Sequence, residues 1–211
     1  QGVQTDQGLL DTQLVILSLG IRPNTGFLQD TGIEMVKGTI LVDDQLATNV
    51  EGVYAAGDCA MVVSRITGQR QWSPMGSSAN MEGRTLALVL GGRSVSYPGV
   101  LGTGVVKLPG LNGGRTGLSE EQAKAAGFDP VCALAVTDDK AHYYPGAAWF
   151  AVKVVADRST HRLLGVQVLG PGAVDKVTDI GVTAISMKAC LEDLTNLDLA
   201  YAPPFSTAIH P

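Results

Sequence analysis

Three short stretches carry the residues that could do chemistry. The first is Val53-Tyr54-Ala55-Ala56-Gly57-Asp58, preceded by a turn at Asn49 and Glu51-Gly52. Its apolar part predicts a short buried strand, and Gly57 lets the backbone come close to another backbone or a ligand. In open α/β sheets ligands sit at the carboxyl ends of strands, where Asp58 falls. A carboxylate there can accept a hydrogen bond from a sugar or ribityl hydroxyl. An ordinary strand followed by an Asp-containing turn has the same local pattern. The second stretch is Pro74-Met75-Gly76-Ser77-Ser78, which predicts a helix start. The first N–H groups of a helix are unpaired and carry partial positive charge, which suits a negative group. A routine amphipathic helix with small residues on its packing face accounts for the same residues. The third is a pair of tyrosine segments, Tyr143-Tyr144-Pro145-Gly146 and Tyr201-Ala202-Pro203-Pro204-Phe205. A phenol can donate to a thiolate sulfur or fix a substrate's pose. The prolines hold Tyr201 in an extended, rigid segment, although tyrosines beside prolines also pack in turns.

Other candidate groups are poor in chemistry. Cys59, Cys132 and Cys190 are far apart and form no C-x-x-C pair, so each reads as a small buried apolar residue. No disulfide framework is expected, which points to a reducing, cytoplasmic setting. His142, His161 and His210 have no ligand spacing with a cysteine or carboxylate cluster, and no metal site is expected. Asp175, Lys176 and Asp179 read as a solvated or interface face.

The elements that must position these groups change style along the chain. Leu14-Val15-Ile16-Leu17-Ser18-Leu19-Gly20 predicts a strand buried on both faces, as in a parallel sheet covered by helices. The polar residues from Gln7 to Gln13 read as the end of a hairpin feeding it. Such a strand cannot fold alone, so the rest of its sheet is expected upstream of Gln1. Ile40-Leu41-Val42 and Val53 to Ala56 are the next strands, with Asp43-Asp44 as a turn. A polar excursion from Ser64 to Gln71 follows. The helix after Pro74 is expected to run about four turns, with Ala79, Gly83, Leu86 and Leu90 on one face and Gly91-Gly92 as its stop. Small Ala79 and Gly83 imply close approach to a neighbour.

Beyond about Val95 the pattern becomes strands followed by helices, which indicates an α+β module. Ser119 and Gln122 form a capping-box pattern for a short helix ending at Gly127. Val131–Val136, Trp149–Ala156 and Leu163–Leu169 read as strands, the last two as an antiparallel hairpin. A helix from Pro171-Gly172 to about Ala189 places Val177, Ile180, Ala184 and Met187 on one face. A further helical turn begins at Leu191. The boundary between the two regions is expected between Gly92 and Gly102, giving regions 1–98 and 99–211.

Composition excludes several classes. With 45% hydrophobic and 17% charged residues in 211, the chain should fold around a sizeable core. A net charge of −5 argues against nucleic acid as a partner. No apolar run is long enough to span a bilayer, so no membrane association is expected. The polar opening at Gln1 does not read as a signal peptide. The lack of an initiating Met leads us to expect part of a longer chain.

The order Thr48, four residues, Val53-Tyr54-Ala55, one residue, Gly57-Asp58 resembles a flavin-contacting motif of the pyridine nucleotide–disulfide oxidoreductases. Three further segments resemble the same family. Asp11 to Asn24, with Gly20-x-Arg22-Pro23-Asn24, is similar to the exit from its NAD(P)H-binding domain. Pro74-Met75-Gly76-x-x-Ala79-Asn80-x-x-Gly83-Arg84 is similar to its helix at the flavin's pyrimidine edge. Arg115-Thr116-Gly117-Leu118-Ser119-Glu120 through Pro211 is similar to its dimerisation domain. The resemblance implies an α/β region, part of an FAD- and NAD(P)-binding fold, followed by an α+β dimerisation domain with an antiparallel sheet. It implies FAD and NAD(P)H as cofactors and a homodimer formed through the C-terminal domain. For FAD it nominates Gly57, Asp58, Pro74, Met75, Gly76 and Ala79, with Phe205 near the partner's flavin.

The two tyrosine segments resemble the coenzyme A disulfide reductase branch, which includes persulfide and polysulfide reductases. In that branch such tyrosines lie at the partner subunit's active site, which nominates Tyr144 (with Tyr143 as the alternate) and Tyr201 as catalytic. A small-molecule disulfide or persulfide, coenzyme A disulfide among them, is the implied substrate; an NADH oxidase or peroxidase and a cofactor-free homodimerisation module are the alternatives. Two departures from the family's pattern stand out: Ile209-His210-Pro211 where relatives commonly carry Lys-Asp before the final Pro, and a Gly-rich Lys107 to Gly114. The family's phosphate-cradling Gly-rich loops and redox Cys belong to its N-terminal half, which this sequence does not include. Alone, the chain is therefore expected to be inactive.

Overall fold

A computed structural model of the chain describes residues 1–210, and Pro211 lies outside the described residues. Among the described residues the fold has three antiparallel or mixed sheets, four α-helices and a single 3-10 turn at Gly26–Leu28. Strands β1 (Gly2–Thr5) and β2 (Gly8–Asp11) form an antiparallel hairpin, so the expected hairpin before Gln13 is present. The apolar run Leu14 to Leu19 forms no strand, and its large side chains are exposed. The reason is pairing: a strand apolar on both faces needs neighbours on both edges, and no described strand pairs with it.

The second sheet has the order β3 (Met35–Val36), β4 (Thr39–Leu41), β5 (Ala60–Val63) and β6 (Arg70–Trp72), with β4 and β5 parallel. The turn at Asp43-Asp44 forms as expected, its Asp43 carboxylate accepting from the N–H groups of Gln45 at 2.8 Å and Ala47 at 2.9 Å. Val53 to Ala56 forms no strand; only Tyr54 bridges, to Ala47. That correction follows from geometry, because the segment folds back on the Asp43–Ala47 turn and its ladder ends after one bridge. The polar stretch from Ser64 to Gln69 is the turn of the β5–β6 hairpin, with Gly68 at φ 69°.

Helix α1 (Gly76–Leu90) stops at Gly91, with Gly92 in the left-handed region. The third sheet runs β7 (Gly104–Leu108), β8 (Leu111–Gly117), β11 (Leu163–Gly170), β10 (Trp149–Asp157) and β9 (Pro130–Asp138), all antiparallel. Helix α2 (Glu120–Ala125) carries the expected capping box between Ser119 and Gln122, and Gly127 ends it at φ 89°. Helices α3 (Val174–Ser186) and α4 (Leu191–Thr195) complete the chain.

Helix α3 lies on β8 and β11, which explains the Gly-rich Lys107–Gly114 segment. A Cβ on Gly114 would collide with Thr178 Oγ1, and one on Gly181 would come within 2.9 Å of a Val166 methyl. Its buried face is Val174, Thr178, Gly181, Ala184 and Ile185. The expected face of Val177, Ile180, Ala184 and Met187 is rotated from this one; Met187 is exposed. The cause is that small and hydroxyl residues let the backbones approach, so contact outweighs hydrophobicity in choosing the face.

The two regions are stitched together by residues 97–102. Val100 bridges Ser64, Val100 N–H donates to Val63 O at 2.8 Å, and Gly117 N–H donates to Leu101 O at 2.9 Å. Ile66 from the first region and Leu101 from the connection both enter the core of the five-stranded sheet.

Two glycines make opposite predictions for stability. Gly114→Ala should cost about 1–3 kcal/mol by overpacking against Thr178, and less in a Thr178→Ala background. Gly83 sits on an exposed stretch of α1 with open space where its Cβ would be, so the close approach expected there is absent. Gly83→Ala should therefore stabilise by about 0.5–1 kcal/mol. Chemical denaturation of the four variants checks both signs.

Candidate functional site

The Gly57-Asp58 turn is held from both sides. Gly57 adopts φ 92°, a conformation open to glycine, and its N–H donates to Glu82 Oε2 at 2.7 Å. On the other flank the Trp72 indole Nε1–H donates to the Asp58 carbonyl oxygen at 2.7 Å. A Cβ on Gly57 would sit 3.8 Å from the Ala79 methyl, so the turn rests against the first turn of α1. Gly57, Asp58 and Ala79 are thus brought together as the sequence indicates. The Asp58 side chain itself is exposed and takes no hydrogen bond among the described residues.

The start of α1 is equally open. Met75 occupies the N-cap position with an extended backbone and supplies no side-chain cap. Gly76 and Ser77 are exposed, and Ser73 Oγ and Ser78 Oγ lie 3.1 Å apart beneath them. Half-buried Pro74 leads into this turn, while the Met75 thioether reaches towards Gly104 on β7.

Glu82 and Trp72 were not among the residues picked out from sequence. Glu82 is 1% exposed, nearly two turns into α1, on the face that meets the Gly57 loop. Burial pushes its carboxyl above the usual carboxylate range; the Gly57 N–H opposes that and the Asp58 charge adds to it. Tyr97, also buried, is pushed up to about 12, first by desolvation and then by the Glu82 charge. A weak signal for Glu82 was its position three residues after Ala79 and four before Leu86, in line with the apolar face.

Cys59 closes the same loop. Its thiol lies 3.7 Å from the Ala56 carbonyl oxygen, and burial, then the Glu82 and Asp58 charges, raise its pKa. Cys132, exposed rather than buried as the sequence reading expects because β9 turns it outward, has its pKa raised too, first by partial desolvation of its sulfur and then by its contact with Glu120. Neither thiol is in an environment that favours a thiolate.

The tyrosines form a second group. Tyr143, the alternate of the pair, lies beside Tyr201, and this neighbour, with a smaller part from desolvation, raises the Tyr201 phenol. The His142 ring meets Tyr143 edge to face at 5.4 Å between centroids. Tyr144 sits in the same turn, its N–H donating to Ala141 O at 2.8 Å, and Ala141 N–H in turn reaches Pro203 O at 3.4 Å. Phe205 is exposed and lines a hollow of ≈ 200 Å³ with Lys140, Phe150, Lys176 and His210. Among the described residues no hydrogen bond joins this group to the Asp58 loop.

Comparison with known proteins follows the same division. The chain matches the family model for pyridine nucleotide-disulphide oxidoreductase over residues 1–81 and that family's dimerisation domain over residues 106–211. It is 38% identical over 210 residues to the NAD(P)H sulfur oxidoreductase (CoA-dependent) of Pyrococcus furiosus, covering 99% of this chain and 47% of that one. It is 31% identical over 211 residues to an NADH oxidase of Methanocaldococcus jannaschii, covering 100% and 47%. Its structure superposes on an NAD-dependent persulfide reductase from A. fulgidus with a TM-score of 0.86 and 36% identity, covering 91% of this chain and 36% of that one. The chain spans about half the length of the curated relatives it matches. The family model covers residues 1–81 and its dimerisation domain 106–211, and the Gly57-Asp58 turn against the open start of α1 lies within the first match: this chain belongs to the pyridine nucleotide-disulphide oxidoreductase family.

Proposed function

We propose that this chain is the flavin-facing and dimerisation portion of an FAD-dependent, NAD(P)H-using oxidoreductase that reduces coenzyme A disulfide, persulfide or polysulfide. The observation that carries the reading is the Gly57-Asp58 turn clamped against the first turn of α1, with the Asp58 carboxylate left free. The residues present fit the cofactor: a free carboxylate for a ribityl hydroxyl, and unpaired helix N–H groups for an electron-rich ring edge. When bound, FAD would supply the two-electron carrier between nicotinamide and sulfur.

This chain's own residues then have defined tasks. Asp58 accepts a hydrogen bond from a ribityl hydroxyl and fixes the cofactor's height above the turn. Gly57, Pro74, Met75, Gly76 and Ala79 let the backbone approach, and the start of α1 offers positive potential to negative charge developing nearby. Tyr201, with Tyr143 or Tyr144, orients a substrate sulfur by donating a hydrogen bond from its phenol O–H, acting at the partner's site, where Phe205 packs near the partner's flavin. Regions 1–98 and 99–211 divide these tasks between cofactor and interface. A homodimer through the C-terminal region and a cytoplasmic location complete the reading. It is consistent with three unpaired cysteines, and among the described residues no helix is long and apolar enough to cross a membrane.

The NADH oxidase relative keeps a second reaction open, with oxygen or peroxide as acceptor. In the full-length holoenzyme Tyr201→Phe should lower turnover of coenzyme A disulfide or persulfide roughly 10-fold or more while flavin stays bound. Unchanged sulfur turnover together with NAD(P)H-driven oxygen consumption would instead select the oxidase. The isolated 211-residue chain should purify without visible flavin absorbance and should not oxidise NAD(P)H; robust turnover would refute its description as a portion of the catalytic unit.

A further inference from the structure

We infer that Glu82 and Trp72 are positioning residues for the cofactor: together they fix the Ala56–Gly57 peptide ahead of the turn and the Asp58–Cys59 peptide after it, so that the Asp58 carboxylate is held ready for a ribityl hydroxyl. This rests on the flavin reading given above. Neither side chain need touch the ligand. Their work is done on the backbone, one peptide to each side of the carboxylate.

Downstream the turn is tied to the sheet, with Gly57 O accepting from Ala60 N–H at 2.9 Å and Cys59 O from Ile40 N–H at 2.8 Å, but upstream it has few other supports. Gly57 at φ 92° cannot continue a strand, and the ladder upstream ends at the single Tyr54 bridge. Without partners, an Asp-containing turn after a glycine would sample several orientations and bind at an entropic cost. Glu82 removes that freedom on the N-terminal side by accepting the Gly57 N–H at 2.7 Å, and Trp72 on the C-terminal side by donating to the Asp58 carbonyl at 2.7 Å. The two come from different elements, the helix α1 and the strand β6, so the turn is fixed relative to both. The Ala79 methyl beneath Gly57 sets the distance of closest approach.

A carboxylic acid in this place has a consequence that an amide would not. Glu82 is faced by Asp58 and Cys59 from the loop and by Tyr97 from the segment after α1, with Arg65 acting on Tyr97. No cation stands directly against it among these groups, so its ionisation is opposed by burial and by Asp58. A carboxyl raised in the folded state stabilises the fold most below its unfolded value, near 4.5, and that contribution is lost as pH rises through the folded value. Replacing it by glutamine keeps an acceptor for Gly57 and removes the ionisation.

The experiment uses the full-length holoenzyme, stripped of flavin and titrated with FAD by fluorescence. Glu82→Ala should weaken FAD binding roughly 10- to 100-fold, Glu82→Gln should restore it to within about 3-fold of wild type, and Trp72→Phe should weaken it several-fold. Rescue by glutamine separates positioning from bulk packing. In parallel, the melting temperature of Glu82→Gln relative to wild type should rise as pH increases above about 4.5. Asp58→Ala is the control for the underlying reading. If it binds FAD as wild type does, the flavin reading fails and the inference with it. If Asp58→Ala loses FAD while both Glu82 variants and Trp72→Phe keep wild-type affinity, the clamp alone is refuted. Should Glu82→Ala not fold, Trp72→Phe decides: unchanged affinity refutes the clamp, weakened affinity supports it.

Discussion

The candidate site depends on one hydrogen bond, from the Gly57 N–H to a carboxyl group buried inside the first turns of α1. Burying a carboxyl is costly unless it is partnered, and here the partner is a backbone N–H that would otherwise be left unsatisfied in a tight turn. Each group solves the other's problem. The bond therefore ties a loop that has almost no ladder of its own to a helix of fifteen residues. It also explains why the loop can be so rich in small residues: rigidity comes from the contact rather than from side-chain bulk.

A similar economy governs the second region. Glycines in β8 and α3 replace side-chain interdigitation with close backbone approach, so Gly114 meets Thr178 and Gly181 meets Val166 and Thr116. The connection through residues 97–102 then joins the two regions by backbone hydrogen bonds and by apolar residues shared with the larger core. Tyr97 contributes at both levels. It is buried in the first region's core, and its phenol is close enough to Glu82 to be raised by that charge. The Asp58 turn and the five-stranded sheet are thus joined through one packed connection.

Sequence made some of this legible because the determinants were local. The Ser119–Gln122 capping box, the Gly91-Gly92 stop and the Trp149–Asp157 and Leu163–Gly170 hairpin each follow from residues within one element. What failed needed distant information. Leu14 to Leu19 has the composition of an inner strand but no described neighbour to pair with. Arg70–Trp72 looks polar yet forms an edge strand, because an edge needs only one paired side. The buried face of α3 could not be chosen from hydrophobicity, since its contact is made by Gly181 and Thr178. At the candidate site, Asp58 was nominated from its place in a motif that resembles the family's, since residue order alone also fits an ordinary Asp-containing turn. Glu82 was not, because an acidic residue on a helix ordinarily faces water, and only the fold places a bare N–H opposite it.

The same carboxylates bear on where the sulfur chemistry of the proposed reaction can reside. A nucleophilic thiol needs an environment that favours the thiolate, such as a nearby cation or a helix N-terminus aimed at the sulfur. Cys59 has the opposite: burial raises its pKa, and the negative charges of Glu82 and Asp58 raise it further. The carboxyl that holds the Asp58 turn therefore also pushes the adjacent thiol away from thiolate character. Cys132 is raised as well, by partial desolvation of its sulfur and by Glu120, whose carboxylate is itself engaged by Lys124 and Lys153. On the proposed reading neither thiol takes part in the chemistry, and the residues of this chain that meet a substrate sulfur are phenols.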